Sequence, residues 1–600
     1  MSPSVVGIDL GTTNCALSYR DLNQGRSEVL PIPQLTSPGT VEERVLLPSF
    51  LYLCRSEEFP EGSLALPWDK KASYIVGEFA RSHGLKVPTR LVSSAKSWLS
   101  HAGVDRSGAL LPWDAPLEVE RVSPVEASAR YLRHLIGAGT VSKLSRRLDA
   151  QETILTVPAS FDAAARDLTV QAAREAGLRN VTLLEEPQAA LYAWLELAGD
   201  GFRRQVKVGD VILVVDVGGG TTDFSLIAVT EQDGDLQLTR IAVGDHILLG
   251  GDNMDLTLAH NLSQELLAKG KKLDAWQFTA LTYGCRHAKE LLFNDPKLAR
   301  APISIASRGS ALMGGTVKTE LARADLTDIL VDGFMPRAGV TELPQTAHRT
   351  GLTQLALPYA QDPGITRHLA AFLTRQARIA EGKSFVHPTA ILFNGGVFKA
   401  GRLKGRILEV VNEWLAEDGG APVKELEGTD LDVAVSRGAA YYAWVRRGHG
   451  IRIRGGTARS YYVGVESPMP AVPGFEPPVK AFCVAPFGME EGTHADVPPQ
   501  EFALVVGEPT VFRFFSSSVR REDAVGSMID DAARSEELEE VAPIETTLLA
   551  DPGAAGKLVP VNLQAAVTEV GTLELRCLEK GGSGRWKLEL NVRVPSSLDK

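Results

Sequence analysis

The sequence has few cysteines, and they are scattered. Five occur among 600 residues, with no C-x-x-C pair and no histidine-rich spacing around them. This pattern predicts neither a disulfide framework nor a zinc site, and it is typical of a reducing cytoplasm. The five are Cys15, Cys54, Cys285, Cys483 and Cys577.

Long apolar runs are also missing. No uninterrupted apolar stretch reaches the length of about eighteen residues that a membrane-spanning helix needs. The first four residues lead directly into an apolar strand pattern, so no secretory leader is expected. We therefore expect a cytoplasmic protein that is neither secreted nor anchored in a membrane.

Acidic residues outnumber basic ones, and the formal net charge is −11. This balance argues against non-specific binding of nucleic acid or of an anionic membrane surface. The length is several times that of a usual domain, so two to four folding units with apolar cores are expected.

Two similar motifs stand where strands are predicted to end. Residues 6–13 read VGIDLGTT and residues 214–223 read VVDVGGGTTD, so that in each an apolar run meets an acid, Asp9 or Asp216, beside glycines and paired threonines. Glycines let a turn present backbone N–H groups to an anion, threonine hydroxyls donate to phosphate oxygens, and a carboxylate can hold Mg²⁺ through water. Two such turns predict a clamp for one polyphosphate.

The alternative is a pair of ordinary hairpin turns, because glycine and threonine are common in turns. Neither motif continues as Gly-Lys-Ser/Thr, as a Walker loop would, and neither reads G-x-G-x-x-G, as a dinucleotide fold would. The repetition of strand, acid, glycine and threonine in the same order favours the phosphate site.

The periodicity of the chain predicts α/β architecture followed by a β-rich region. A strand at 153–157, a helix at 163–176, a strand at 181–184 and a helix at 188–197 alternate. Helical patterns also cover 91–99, 124–136 and 402–415. The apolar strand 389–393 runs into Asn394-Gly395-Gly396, a third glycine turn. Beyond residue 450, short alternating segments predict strands.

Six blocks of sequence share their pattern and order with one known family. The blocks are GIDLGTTN (7–14), SAKSWL (94–99), TVPASFDAAARDLTVQAAREAGL (156–178), LEEPQAALYAW (184–194), VVDVGGGTTDFSL (214–226) and GDHILLGGDNMD (244–255). Together they resemble the 70-kDa heat-shock chaperones, the DnaK family. The resemblance covers about 4–448 with specific motifs and 459–600 more weakly.

This resemblance implies an architecture for the whole chain. A duplicated actin-like (ribonuclease H-like) nucleotide-binding domain would occupy 1–448, with lobes of about 1–198 and 199–448. A linker would follow at 449–458. A β-sandwich-like substrate-binding domain would occupy 459–600, without a helical lid.

The resemblance also implies roles for motif residues in binding and hydrolysing ATP. Asp9 and Asp216 would position Mg²⁺ through water, and Lys96 would orient the attacking water. Pro158 and Arg166 would relay nucleotide state, the alternative for Arg166 being a surface helix charge. The implied catalytic set is Lys96, Asp9, Glu186, Asp216, Asp223 and Thr221. The implied set for ATP or ADP is Gly11, Thr12, Thr13, Asn14, Gly218, Gly219, Gly220, Thr221, Lys289, Gly395, Gly396, Lys399 and Asp432.

Some positions depart from the family pattern. Arg286 stands where an acid usually meets the ribose, and Lys399 stands where an arginine commonly stacks on the adenine. Because lysine lacks a planar guanidinium, altered adenosine contacts are expected. Thr182 replaces an arginine that helps to engage J-domain co-chaperones, and the linker reads GIRIRGG (450–456) rather than acidic and apolar. Dependence on a conventional J-domain partner is therefore not inferred from the resemblance.

The function that the resemblance implies is an ATP-dependent chaperone that couples nucleotide state to the binding of unfolded or extended polypeptide, with a nucleotide-exchange factor as a partner. Hydrolysis of a γ-phosphate needs charge neutralisation and a positioned water more than covalent chemistry. Two alternatives stay open, because a fold does not fix chemistry: a small-molecule kinase of the same superfold and a nucleotide-gated scaffold. The β-rich C-terminal region favours the chaperone.

Overall fold

The computed structural model describes residues 4–591 apart from some internal segments. These segments are 23–24, 102, 114, 143–147, 233–234, 306–315, 346–356, 378–382, 455–456, 458, 467–476, 490–492, 499, 501, 518–519, 521, 536, 549–555, 569–571 and 583. Residues 455–456 and 458 of the predicted linker therefore lie outside the described residues. The chain divides into two compact units: Met1–Leu238 with Ala242–Arg452, and Ile453–Lys600 with Thr239–Ile241.

The first part of the first unit contains a six-stranded mixed sheet, a three-stranded sheet, a two-stranded sheet and helices. Its strands are β1 (Ser4–Leu10), β2 (Asn14–Asp21), β3 (Glu28–Val29), β4 (Ile32–Ser37), β5 (Thr40–Arg44), β6 (Leu46–Pro48), β7 (Leu51–Leu53), β8 (Tyr74–Val76), β9 (Leu91–Val92), β10 (Glu152–Val157) and β11 (Val181–Glu185). Its helices are α1 (Glu78–Gly84), α2 (Ala95–Leu99), α3 (Pro124–Val141), α4 (Ala163–Ala176) and α5 (Glu186–Ala198).

The second part of the first unit also combines strands with helices. Its strands are β12 (Val211–Val217), β13 (Thr222–Gln232), β14 (Asp235–Val243), β15 (Arg300–Ile305), β16 (Val317–Ala322), β17 (Ala390–Asn394) and β18 (Lys424–Glu425). Its helices are α6 (Gly251–Ala268), α7 (Ala275–Asn294), α8 (Arg323–Thr327), α9 (Ile365–Arg375), α10 (Gly401–Glu417) and α11 (Ala434–Val445).

The two sheets share a strand order. One runs β11-β10-β1-β2 and the other β18-β17-β12-β13. In each, the motif strand pairs antiparallel with the strand that follows it and parallel with a strand from later in the chain. The central strands are buried on both faces, which explains why their sequences are continuous apolar runs. The first unit is therefore a mixed α/β structure that contains one arrangement twice.

Two of the predicted helices, α3 and α4, start at side-chain caps. Ser123 accepts a hydrogen bond from the Glu126 N–H at 3.0 Å before α3, and Asp162 accepts from the Ala165 N–H at 2.7 Å before α4. The prediction of one helix over 91–99 is partly wrong. Ser94 has a left-handed φ of 51°, so the strand β9 ends before it and α2 begins after it.

The second unit is built from strands. They are β19 (Ile453–Arg454), β20 (Ser460–Glu466), β21 (Val479–Ala485), β22 (Thr493–Asp496), β23 (Phe502–Val505), β24 (Pro509–Ser517), β25 (Met528–Ile529), β26 (Glu539–Thr547), β27 (Leu558–Val567), β28 (Thr572–Glu579) and β29 (Arg585–Asn591). One sheet runs β25-β21-β20-β24-β26, and the other runs β22-β27-β28-β29 with β23 also paired to β27. Buried side chains of both sheets, such as Phe514 and Leu575, form one apolar core.

No helix of the described residues is both long and apolar enough to cross a membrane.

Candidate functional site

A cavity of about 550 Å³ lies in the first unit, where the motif strands of both sheets end. The predicted site residues that line it are Asp9, Gly11, Thr12, Thr13, Asn14, Glu186, Asp216, Gly218, Gly219, Thr221, Lys289, Gly395, Gly396, Lys399 and Asp432. The lining residues of the described chain do not include Lys96, Gly220 or Asp223, which contact lining residues from behind.

The two glycine-threonine turns face each other in this cavity. A Cβ atom on Gly219 would stand 1.9 Å from Thr13 Oγ1, and one on Gly220 would stand 2.9 Å from the Thr12 methyl carbon. A Cβ on Gly11 would meet the Asn14 carbonyl oxygen at 2.1 Å. These glycines are therefore required by close approach, and the two motifs, about two hundred residues apart in sequence, form one surface of backbone N–H groups and hydroxyls.

The third glycine turn, at Gly395, packs against the end of the second motif strand. Gly395 has a φ of 89°, and a Cβ there would stand 2.2 Å from the Val217 carbonyl oxygen. The preceding residue, Asn394, donates from Nδ2 to Asp216 Oδ2 at 2.7 Å. The strand order places β17 beside β12, so this turn lies directly beside Asp216.

Buried carboxylates gather behind the glycine turns. Burial raises the pKa of Asp9 to about 7; the charge of Glu186 adds to this effect and that of Lys96 opposes it. Burial is also the main cause that raises the pKa values of Glu186, Asp216 and Asp223. Their negative charges repel one another, so each group holds a proton more tightly than it would in water.

Lys96 supplies positive charge to this cluster. Its side chain is 5% exposed and forms an ion pair with Glu186. Burial disfavours the charge on Lys96, but Glu186 and Asp9 outweigh that effect and raise its pKa. The ammonium group therefore stays charged at neutral pH.

The carboxylates that face the cavity fit a hydrated divalent cation. Four acids stand beside one lysine, and the raised pKa values show that the cluster takes up added positive charge. Asn394 Oδ1 is buried without a hydrogen-bond partner, and it adds a further oxygen. Among the described residues, no three His, Cys, Asp or Glu side chains lie close enough together to ligate a metal ion directly.

Replacing Asp9 with asparagine should make the nucleotide-free protein more stable at pH 7.5. Between about pH 4 and 7 folded Asp9 keeps a proton that the unfolded chain has lost, so this carboxyl lowers stability as pH rises through that window. Asp9→Asn removes the effect, which for a pKa raised from 3.8 to about 7 is on the order of 4 kcal/mol at pH 7.5. Thermal melts without Mg²⁺ should show a higher Tm than wild type at pH 7.5 and nearly the same Tm at pH 4.5. The exposed Asp200→Asn should leave the pH dependence unchanged, and an Asp9→Asn curve parallel to wild type would contradict the prediction.

Charged side chains form the far wall of the cavity. Arg286 donates from Nε to Asp255 Oδ2 at 2.6 Å and also pairs with Asp252. Lys289 Nζ lies 2.7 Å from Asp255 Oδ1. Lys399 Nζ lies 2.5 Å from Asp432 Oδ1. The arginine that departs from the family pattern is thus neutralised by two aspartates on the neighbouring helix α6.

Sequence reasoning missed several residues of this wall. Asp252 and Asp255 stand in the sixth motif block, and Asn394 stands in the third glycine turn, so the signals were present but unassigned. Ser94 donates to Asp252 Oδ2 at 2.5 Å across 158 positions of sequence. Arg44 and its neighbours at the cavity edge carry no comparable sequence signal.

Two arginines outside the cavity bear on the predictions made for Arg166 and Thr182. Arg166 is 2% exposed and donates to the Phe161 and Ala159 carbonyl oxygens at 3.0 and 3.1 Å, so its interpretation as a surface charge is wrong. Arg446 on helix α11 donates to Thr182 Oγ1 at 2.6 Å. An arginine therefore stands beside Thr182 in space, although none stands at position 182 in sequence.

Comparison with known proteins identifies relatives over part of the chain. A family model described as Hsp70 protein matches residues 65–339. A chaperone protein HscA homolog of Polynucleobacter asymbioticus is 30% identical over 332 residues, which is 54% of this chain and 46% of that protein. A chaperone protein HscA of an Enterobacter species is 31% identical over 274 residues, 43% of this chain and 38% of that protein.

A chaperone protein DnaK of Stenotrophomonas maltophilia is 26% identical over 276 residues, which is 44% of this chain and 38% of that protein. The chain thus spans less than half the length of these curated relatives. The matched region includes the helix of Lys96, the helix of Glu186 and the second glycine turn. These matches show that residues 65–339 are similar to Hsp70 proteins.

Proposed function

We propose that the first unit is an actin-like, duplicated nucleotide-binding domain that binds ATP or ADP with Mg²⁺ and hydrolyses ATP. One observation carries the proposal: the two glycine-threonine turns meet in a single cavity beside buried carboxylates and a charged lysine. The similarity of residues 65–339 to Hsp70 proteins supports the same interpretation.

The glycine turns would hold the phosphates. Backbone N–H groups of 11–14 and 219–221 and the hydroxyls of Thr12, Thr13 and Thr221 would donate to phosphate oxygens. Asn14 lines the same surface. Asp9 and Asp216 would hold Mg²⁺ through its waters, and the bound ion would neutralise charge on the phosphates.

Hydrolysis would depend on positioning a water molecule beside the last phosphate. Lys96, which is paired with Glu186, would supply positive charge beside the last phosphate, where negative charge develops during hydrolysis. Asp223 accepts a hydrogen bond from the Ser160 N–H at 3.2 Å, which fixes one carboxylate oxygen at the rear of the cluster. Because these groups are preorganised by burial, little reorganisation accompanies the reaction.

The adenosine would lie against the charged wall. Lys289, Gly395, Gly396, Lys399 and Asp432 line this part of the cavity. With Arg286 bound to Asp252 and Asp255, the ribose hydroxyls would meet an ion-pair network in place of a single acid. We infer that ribose recognition is altered rather than lost.

The second unit would bind unfolded or extended polypeptide. Its two sheets end in strands β26 and β29, whose edges offer backbone groups to an added strand. ATP and ADP would select different client affinities, and a nucleotide-exchange factor would restart the cycle. We place this activity in the cytoplasm, as the scattered cysteines suggest.

Single-turnover hydrolysis with Mg²⁺, read together with the binding of a labelled unfolded peptide, tests the proposal. The expected result is hydrolysis to ADP and a peptide Kd that differs at least threefold between the ATP and ADP states. Hydrolysis without any peptide response would overturn the chaperone part and favour a scaffold. Turnover that rises sharply with an added metabolite would favour a kinase, and failure to bind ATP would overturn the whole proposal.

A further inference from the structure

His246 lies in the second part of the first unit, and both of its ring nitrogens are hydrogen-bonded to serines of the first part. Its Nδ1 lies 2.7 Å from Ser160 Oγ, and its Nε2 lies 2.9 Å from Ser100 Oγ. The imidazole ring also contacts Phe161, with ring centroids 5.9 Å apart. No role for His246 follows from the motif residues assigned above, although it stands within the sixth block.

Each serine hydroxyl also has a second hydrogen-bond partner. Ser100 Oγ donates to the Ser97 carbonyl oxygen at 3.0 Å, and the Ser160 hydroxyl also bonds the Asp223 carboxylate. In a neutral ring one nitrogen donates and the other accepts, so His246 can bond both serines at once. Burial lowers the pKa of His246 to about 4, so the ring is neutral at pH 7.

The two serines belong to different parts of the proposed catalytic cluster. Ser100 caps the C-terminal end of α2, the helix that carries Lys96. Ser160 donates its backbone N–H to Asp223 Oδ1 at 3.2 Å. A chain of hydrogen bonds therefore runs from Ser100, at the end of the lysine helix, through His246 to Ser160, which bonds Asp223.

His246 also holds the hydroxyl that supports Asp223. Ser160 bonds the Asp223 carboxylate through both its backbone N–H and its hydroxyl, and the same hydroxyl is bonded to His246 Nδ1. Without His246, the Ser160 hydroxyl would lose one of its two partners and would no longer be fixed against Asp223. Both the α2 end and the Asp223 carboxylate would then shift.

We propose that His246 is a positioning residue for hydrolysis, which holds the Lys96 helix and Asp223 in register through Ser100 and Ser160. This inference rests on the proposed ATPase. It concerns the rate of the chemical step and not the affinity for nucleotide, because His246 bonds neither glycine turn in the described structure.

The test compares His246→Leu with His246→Asn in single-turnover hydrolysis and in nucleotide binding. Leucine fills similar space without hydrogen bonds, so kcat should fall about 10- to 100-fold while KM and the Kd for ATP change less than twofold. Asparagine keeps a hydrogen-bonding group near the position of Nδ1, so it should recover most of the rate. Unchanged affinity also shows that the leucine variant is folded.

A double-mutant cycle with Ser160→Ala and a matched control complete the experiment. If the two residues act as one unit, the His246→Leu, Ser160→Ala double variant should be no slower than the slower single variant. His134→Ala removes a fully buried histidine that bonds the Pro33 carbonyl oxygen, and it should lower Tm without lowering kcat.

Three results would overturn the inference while leaving the ATPase in place: a wild-type rate for His246→Leu, an asparagine variant no faster than leucine, or additive losses in the cycle. A wild-type protein that binds ATP and never hydrolyses it would instead overturn the proposed function.

Discussion

Lys96→Met should bind ATP with nearly wild-type affinity and hydrolyse it at least 100-fold more slowly. The lysine is buried, charged and paired with Glu186, and it stands behind the cavity lining rather than in it. Preorganised charge of this kind is typically worth 100- to 1000-fold in rate when it is removed. Single-turnover hydrolysis and equilibrium binding of ATP measure the two quantities separately.

A second substitution distinguishes lost catalysis from lost stability. Removing Lys96 leaves Glu186 buried without its cation, which costs free energy of unfolding. Lys96→Met with Glu186→Gln removes both charges, so it should melt at a higher temperature than Lys96→Met alone and stay equally slow. Lys404→Ala breaks a comparable ion pair, 2.6 Å from Glu425, outside the cavity, and should hydrolyse ATP normally. A Lys96→Met rate above one third of wild type would contradict the prediction.

Local pattern was enough to predict the elements that carry the site. The strand before Asp9, the helix after Asp162 and the turn at Gly395 each follow from short-range rules: continuous apolar residues, a capping side chain and a glycine that must adopt positive φ. The repeated motif also indicated that two turns share one ligand, and Thr13 does lie against Gly219. The assigned roles of these residues in hydrolysis stay predictions.

Long-range partners could not be predicted from the sequence. Ser94 takes a left-handed conformation and bonds Asp252, and nothing in the local sequence SAKSWL signals either fact. Arg286 looked like a changed ribose contact, yet its charge is satisfied by two aspartates on another helix. Such pairings depend on how helices pack, and a periodic pattern reports only that a face is buried.

Gly438→Ala should destabilise the first unit by about 3 kcal/mol or more. Gly438 lies inside helix α11, and an added Cβ would stand 1.7 Å from the Ala189 carbonyl oxygen of helix α5 and 2.6 Å from its carbonyl carbon. Both neighbours are backbone atoms, so no side chain can rotate away, and the two helices must separate by well over 1 Å. Urea denaturation followed by tryptophan fluorescence measures the loss.

Whether a glycine-to-alanine substitution in a helix destabilises or stabilises the unit should depend on the space around that glycine. Gly405 lies inside helix α10, where an added Cβ would have nothing within 4 Å, so Gly405→Ala should stabilise by up to about 1 kcal/mol through helix propensity. Helix α5 begins at Glu186, the partner of Lys96, so displacement of α5 by Gly438→Ala should also slow hydrolysis in the fraction that stays folded. If Gly438→Ala were as stable as wild type, the close contact between α11 and α5 would be wrong, and with it the placement of Glu186 against Lys96.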